Sequence, residues 1–208
     1  MSVLKQLAVY LNIRNEEPNI LLAEKICKTN NAKDVQELVD NLDNKDKNIQ
    51  SDCIKTLYEI GERKPELISK YAKELLALLD SKNNRLVWGA MAALDSIASL
   101  NPDWIYKNLG KILLVADQGS VITKDHAIGI LIQLGKQKKY AKDAIRLLLD
   151  SLKTALPNQL PMYAENSMAV IPSESKKEFI EILNSRLKDF EKETKRKRVE
   201  KVIQKLSK

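Results

Sequence analysis

The sequence predicts an all-α protein in which helical hairpins stack one on the next, an α-solenoid. Three observations carry this. Apolar residues recur every 37 positions: Cys53, Ala90, Ala127 and Ala164; Leu57, Leu94, Leu131 and Met168; Ile60, Ile97, Leu134 and Ile171. A second series with the same step, Leu38, Leu75, Ile112 and Leu149, places another apolar segment in each interval, and Asp43, Asp80 and Asp117 mark the turn between the two. Finally, the 208 residues include only six Gly and six Pro, and aromatic residues make up 5% against 44% hydrophobic, so the core is aliphatic and the elements are helices. Neither helix of such a pair can bury its apolar stripe alone; stacked pairs share one continuous core.

Taken in order, Val3, Leu4, Leu7, Ala8 and Leu11 have helical spacing, with Ser2 as N-cap, and predict an N-terminal helix that covers the first full repeat. Pro18 separates it from a second helix, 20–28, which ends at Asn30-Asn31. Val35, Leu38, Val39 and Leu42 form the first helix of the first pair. Asn48 is the expected cap of its second helix, whose buried face is Ile49, Cys53, Leu57 and Ile60. The next pairs use Leu75, Leu76 and Leu79 before 86–100, and Ile112, Leu113 and Ala116 before 121–135. Pro65 and Pro102, again 37 apart, open the first helices near Glu66 and Asp103, because a Pro at a helix start has no orphan N–H to leave unpaired. The fourth pair is degenerate: Pro157 and Pro161 lie in its turn, and Pro172 stops its second helix about a turn early. Ser175 to Glu178 reads as a capping box that opens one long helix, apolar at Phe179, Ile182, Leu183, Leu187 and Phe190, polar from 191 to 198, and apolar again at Val199, Val202, Ile203 and Leu206.

The units resemble HEAT repeats, the armadillo-type α-helical repeat family. The residues that carry the likeness are Ile49, Cys53, Leu57, Ile60 and Gly61; Leu86, Ala90, Leu94, Ile97 and Ala98; and Ile122, Ala127, Leu131, Leu134 and Gly135. It covers about residues 34–171. The resemblance implies a right-handed α-α superhelix of about four hairpins, with an N-terminal capping helix and a long basic C-terminal helix. It also implies that second helices line a concave face. The family's ladder Arg is replaced by Gln50, Val87 and Thr123, which removes the expected bridging between neighbouring repeats. The expected division is residues 1–190 as solenoid and 191–208 as a basic end free to project or to dock.

The net charge of +7 is uneven: residues 186–208 hold ten Lys/Arg against four Asp/Glu, a net of +6, which leaves +1 for the rest. The protein is thus nearly neutral with one basic helix. No run of about 18 apolar residues suggests a membrane span, and the start lacks a secretory pattern. Cys27 and Cys53 form no CxxC pair and read as reduced thiols of a cytoplasmic protein. No Gly-rich phosphate loop, zinc spacing or EF-hand loop occurs, so no cofactor and no metal are expected.

With Cys53, Leu57 and Ile60 inward, the opposite columns of the second helices are Asp52, Gly89, His126 and Tyr163; Lys55, Ala92, Gly129 and Asn166; and Glu59, Ser96, Gln133 and Val170. Small residues at the centre suit either the close approach of a partner backbone or tight helix packing. His126 beside Asp125 lacks a nucleophile at catalytic spacing, so no catalytic residue is assigned. Trp88 and Asp95 could be read as the base-holding pair of HEAT-like DNA glycosylases, but the concave columns lack the cations that hold DNA. The expectation is a non-catalytic scaffold that binds a protein or peptide through Asp52, Lys55, Glu59, Trp88, Ser96, His126 and Gln133. The alternative is a nucleic-acid accessory protein that uses Lys195, Arg196, Lys197 and Arg198 as polyanion contacts, salt-dependent and without sequence preference because no aromatics interleave. Oligomeric state is not legible.

Overall fold

The computed structural model describes residues 2–207. Among them twelve α-helices follow one another and no strand occurs. They gather into two compact units, Met1–Ala127 and Ile128–Lys208.

In the first unit the chain opens with a 3-10 turn, Val3–Gln6, where a full α-helix was expected. Ser2 does cap it, accepting the Leu4 N–H at 3.3 Å, and also donates to Glu37. Helix α1 (Glu17–Thr29) has Pro18 in its first turn rather than before its start, and ends on Asn30, whose φ of 52° is the left-handed conformation of a helix stop. Asn31 then caps α2 (Ala32–Asp40) through the N–H groups of Lys33 and Asp34. Helix α3 (Lys47–Arg63) packs on α1, α2 and α5 (Asn84–Ile97).

The cap of α3 is Asp46, which accepts the Asn48 N–H at 2.8 Å; Asn48 is not the cap. This position obeys the repeat. Asn83, 37 residues on, caps α5 through Arg85 N–H at 3.1 Å, and Ser120, 37 further, receives the Thr123 N–H at 3.5 Å at the start of α8 (Val121–Gly135). The side chain that a first-turn donor needs therefore recurs with the core.

First helices are broken where one helix was expected. Residues 65–71 form 3-10 turns before the short α4 (Ala72–Ala77), and 102–118 split into α6 (Pro102–Lys107) and α7 (Leu109–Gln118). The split falls at Asn108, whose side-chain amide donates to the Trp104 carbonyl and competes with the helix for it. The repeat of α6, α7 and α8 thus has three helical segments instead of two.

The periodic positions are buried as predicted: Cys53, Leu57, Ile60, Ala90, Leu94, Ile97, Leu131 and Leu134 are each 0% exposed. The register at the start of α8 needs correction. Thr123, at 1% exposure, occupies the buried place held by Ile49 and Leu86, and its hydroxyl donates to the Ser120 carbonyl; Ile122 is 42% exposed. The residue aligned with Gln50 and Val87 is consequently Lys124, not Thr123. Both thiols are free, Cys53 buried and Cys27 half-buried. Burial pushes the Cys53 thiol up to about 12, with Asp52 and Glu37 adding to the effect.

In the second unit, α9 (Ala141–Thr154), α10 (Leu160–Ser167), α11 (Lys176–Arg186) and α12 (Glu193–Leu206) form the body. The single long C-terminal helix is in fact two. A 3-10 turn at 187–189 and extended backbone at Phe190 and Lys192 separate α11 from α12, and Ser175 makes no side-chain cap. The break lets α12 fold back: it packs on α10 and α11 and buries Val199 and Val202. Arg186 secures the corner. Its guanidinium donates to the Leu152, Lys153 and Ala155 carbonyls at 2.8, 2.7 and 2.7 Å, satisfying the exposed end of α9, and pairs with Asp189.

Candidate functional site

Within the first unit, the outward sides of α3, α5 and the first turns of α8 border a cleft of about 520 Å³. Helix α3 contributes Ile54, Lys55, Tyr58, Glu59 and Glu62. Helix α5 contributes Arg85, Trp88, Gly89 and Ala92, and α8 contributes Ile122 and His126. Glu16, just before α1, closes one side.

One wall is a charge network. Lys55 Nζ donates to Tyr58 Oη at 2.6 Å and Glu59 Oε1 at 2.7 Å, pairs with Glu16 Oε2 at 3.1 Å, and lies 4.6 Å from the Tyr58 ring centroid. Burial alone would push this ammonium toward neutrality; bonds to Glu59, Tyr58 and Glu16 outweigh it and hold Lys55 protonated well above its usual range. Glu59 is 7% exposed and receives Lys55 on one oxygen and Arg63 on the other, at 2.5 Å. Burial raises its pKa, but the two cations prevail and the carboxyl sits below its ordinary value. Tyr58 goes the other way: burial raises its phenol more than Lys55 lowers it. All three protons of the Lys55 ammonium are directed at chain partners, so this lysine has none left for a phosphate or a substrate carbonyl.

The opposite wall is apolar with a polar tip. Asp95 Oδ2 lies 3.1 Å from His126 Nδ1. A carboxylate only accepts, so Nδ1 carries a proton in this contact and the Nε2 end of the ring points away from Asp95. Trp88 is half-buried beside exposed Ile122. Arg85 and Glu62 are exposed and have no side-chain hydrogen bond among the described residues.

The residues singled out in the sequence scatter. Lys55, Glu59, Trp88 and His126 share the cleft. Asp52 is committed elsewhere: its carboxylate accepts the Val9 N–H at 2.8 Å and ties the N-terminal turn to α3. Ser96 donates to the Ala93 carbonyl and touches Gly61, with which a methyl group could not coexist. Gln133 belongs to the second unit, where Lys136 donates to its Oε1 at 3.1 Å. The small residues have a packing role at Gly89, where a Cβ would sit 2.5 Å from Ile54 Cγ1, and Ala92 is buried. Arg85, Glu62, Tyr58 and Ile122 were missed, although Tyr58 and Glu62 are the i+3 neighbours of Lys55 and Glu59.

The four basic residues singled out on α12, Lys195, Arg196, Lys197 and Arg198, all have chain partners. Arg198 makes a two-pronged bond to Glu165 at 2.8 and 2.5 Å, Arg196 meets Glu200, Lys197 meets Glu193, and Lys195 donates to Asn158. Among the described residues no group of three His, Cys, Asp or Glu side chains could hold a metal ion, and no helix is long and apolar enough to cross a membrane.

No protein-family model matches the chain, and no curated protein matches it. Solved structures do. A designed armadillo repeat protein in complex with the peptide (KR)4 is 17% identical, with 90% of this chain and 86% of that chain covered and a TM-score of 0.65. A second designed armadillo repeat protein is 16% identical, with 98% of each chain covered and a TM-score of 0.63. An engineered protein is 19% identical, with 99% of each covered and a TM-score of 0.62. The fold is therefore that of armadillo-type helical repeats.

Proposed function

We propose that the protein is a non-catalytic scaffold that holds a peptide or a segment of another protein in the cleft of its first unit. The observation that carries this is the cleft's fixed wall: Lys55, Glu59, Tyr58 and Arg63 lock one another, leaving a preformed surface beside Trp88 and Ile122. A surface ordered before binding loses little entropy on binding. Trp88 and Ile122 supply an apolar anchor site, while Arg85 supplies a donor, Glu62 an acceptor and the His126 ring a further polar contact for the partner. Lys55 and Glu59, read in the sequence as contacts, are in this proposal the frame. The designed armadillo repeat protein in complex with the peptide (KR)4 supports a peptide as the ligand class.

The arrangement favours binding over bond-breaking. Cys53 is fully buried, Ser51 donates to the Lys47 carbonyl, and Tyr58 is bonded to Lys55, so His126 has no nucleophile to activate in the cleft. The test is a peptide-display selection on the intact chain, followed by titration of the selected peptides against Trp88→Ala and Ile122→Arg. Each variant should lose at least about tenfold in affinity. Affinities unchanged in both would overturn the assignment of the cleft.

A further inference from the structure

The first unit carries a second groove, of about 420 Å³, that shares no lining residue with the cleft. Its apolar lining is Leu11, Ile13, Pro18, Leu21 and Leu22. Local backbone chemistry turns Leu11 and Ile13 outward. Asn12 adopts a left-handed φ of 54°, and the Ile13 N–H closes back on the Ala8 carbonyl at 3.0 Å. That turn leaves Leu11 48% and Ile13 42% exposed. Helix α1 spends Leu22, Ala23 and Ile26 on the core, and Leu21 stays 57% exposed at the rim of the groove. Three large aliphatic side chains thus stand exposed around one hollow, grouped rather than scattered.

We infer that this groove is the contact between two copies of this chain related by a two-fold axis. A two-fold contact must be self-complementary, because each copy offers the same patch. This patch qualifies in shape: it has protruding side chains, Leu21 foremost, and a hollow to receive them. It qualifies in charge as well. Lys5 and Glu17 both border the groove and neither side chain has a partner among the described residues, whereas Lys25 is satisfied by Gln6 at 2.8 Å. A two-fold sets Lys5 of each copy against Glu17 of the other. A contact with α12 of another copy would bring cations instead. The outward side of α12, the last helix of the second unit, presents Arg196, Lys197, Lys201 and Lys205, which an apolar groove does not accept.

The test is sedimentation of the intact chain from about 1 µM to about 500 µM, where a mass that grows with concentration reports the dimer. Leu21→Asp should raise the dissociation constant by about a hundredfold or more, since symmetry removes two leucines at once, while circular dichroism stays unchanged because Leu21 is exposed. Lys5→Glu and Glu17→Lys should each weaken the dimer, and the double swap should restore it. Trp88→Ala and Ile122→Arg should leave self-association unchanged, which separates this contact from peptide binding. A monomer at every concentration, a dimer indifferent to Leu21→Asp, or a double swap weaker than either single change would each overturn the inference.

Discussion

Glu59→Gln tests the frame of the cleft. The wild-type carboxylate is buried and accepts from Lys55 at 2.7 Å and from Arg63 at 2.5 Å. Glutamine keeps the shape but offers one acceptor and one amino group, so one cation loses its partner and faces a donor. A hydrogen bond to a charged group contributes about 1.5–3 kcal/mol. Arg63 is 32% exposed and recovers part of its loss from water, whereas Lys55 at 12% recovers little. The expected cost is about 2 kcal/mol, roughly thirtyfold in the folding equilibrium. Both tryptophans, Trp88 and Trp104, lie in the first unit, so urea unfolding followed by tryptophan fluorescence reads that unit alone. The pH dependence has a definite sign. The folded carboxyl is held below its ordinary value, so its contribution is full above the unfolded value of about 4.3 and is lost as pH falls through the folded one. The gap between wild type and variant should therefore be widest near neutral pH and close on acidification. A variant as stable as wild type at pH 7, or a gap that persists in acid, would refute the account of the network.

Other substitutions address the packing and the basic helix. Gly89→Ala should destabilise the first unit by about 1 kcal/mol, because crowding against Ile54 and Tyr58 exceeds the gain in helix propensity; urea midpoints decide. Gly61→Ala should cost about 1–2 kcal/mol and be partly rescued by Ser96→Ala, a coupling that a double-mutant cycle measures. Arg186→Lys should fail to replace Arg186, since an ammonium cannot reach three carbonyls and Asp189 together, and should lower the unfolding midpoint of the second unit, read by circular dichroism. A chain ended at residue 190 should lose stability as well as charge, because α12 buries Val199 and Val202. Nucleic-acid binding is better tested with Lys195→Gln and Lys197→Gln: the folded wild type should hold random duplex weakly and release it steeply with salt, and tight binding at 0.15 M salt would contradict this.

Much of the architecture was legible because burial repeats with the chain. Leu57, Leu94 and Leu131 announce themselves by spacing, and all are fully enclosed. The same step carried unread information in Asp46, Asn83 and Ser120, where counting from the caps, not from the nearest Asn, would have found the helix starts. Less was legible at the cleft, since the fate of a polar residue depends on neighbours that are distant in sequence. Nothing near Asp52 indicates that Val9 N–H, 43 residues earlier, takes its carboxylate. Glu59 reads as a solvent-facing column until Lys55, Arg63 and Glu16 converge on it and its lysine. The fold-back of α12 was hidden for a similar reason: residues 187–192 carry no Pro or Gly, and the break is fixed by Arg186 reaching across to α9.

The two sulfhydryls lie at different depths, and that difference makes the chain its own reporter of motion. Only the ionised sulfur attacks a maleimide or a disulfide reagent. Cys27, half-buried on α1, should be modified in brief fluctuations that lift that helix, whereas Cys53 should wait until the interior beneath it opens. Two labelling rates, read by mass spectrometry without any engineered cysteine, would thus time the loosening of the outer helix separately from collapse of the whole first unit.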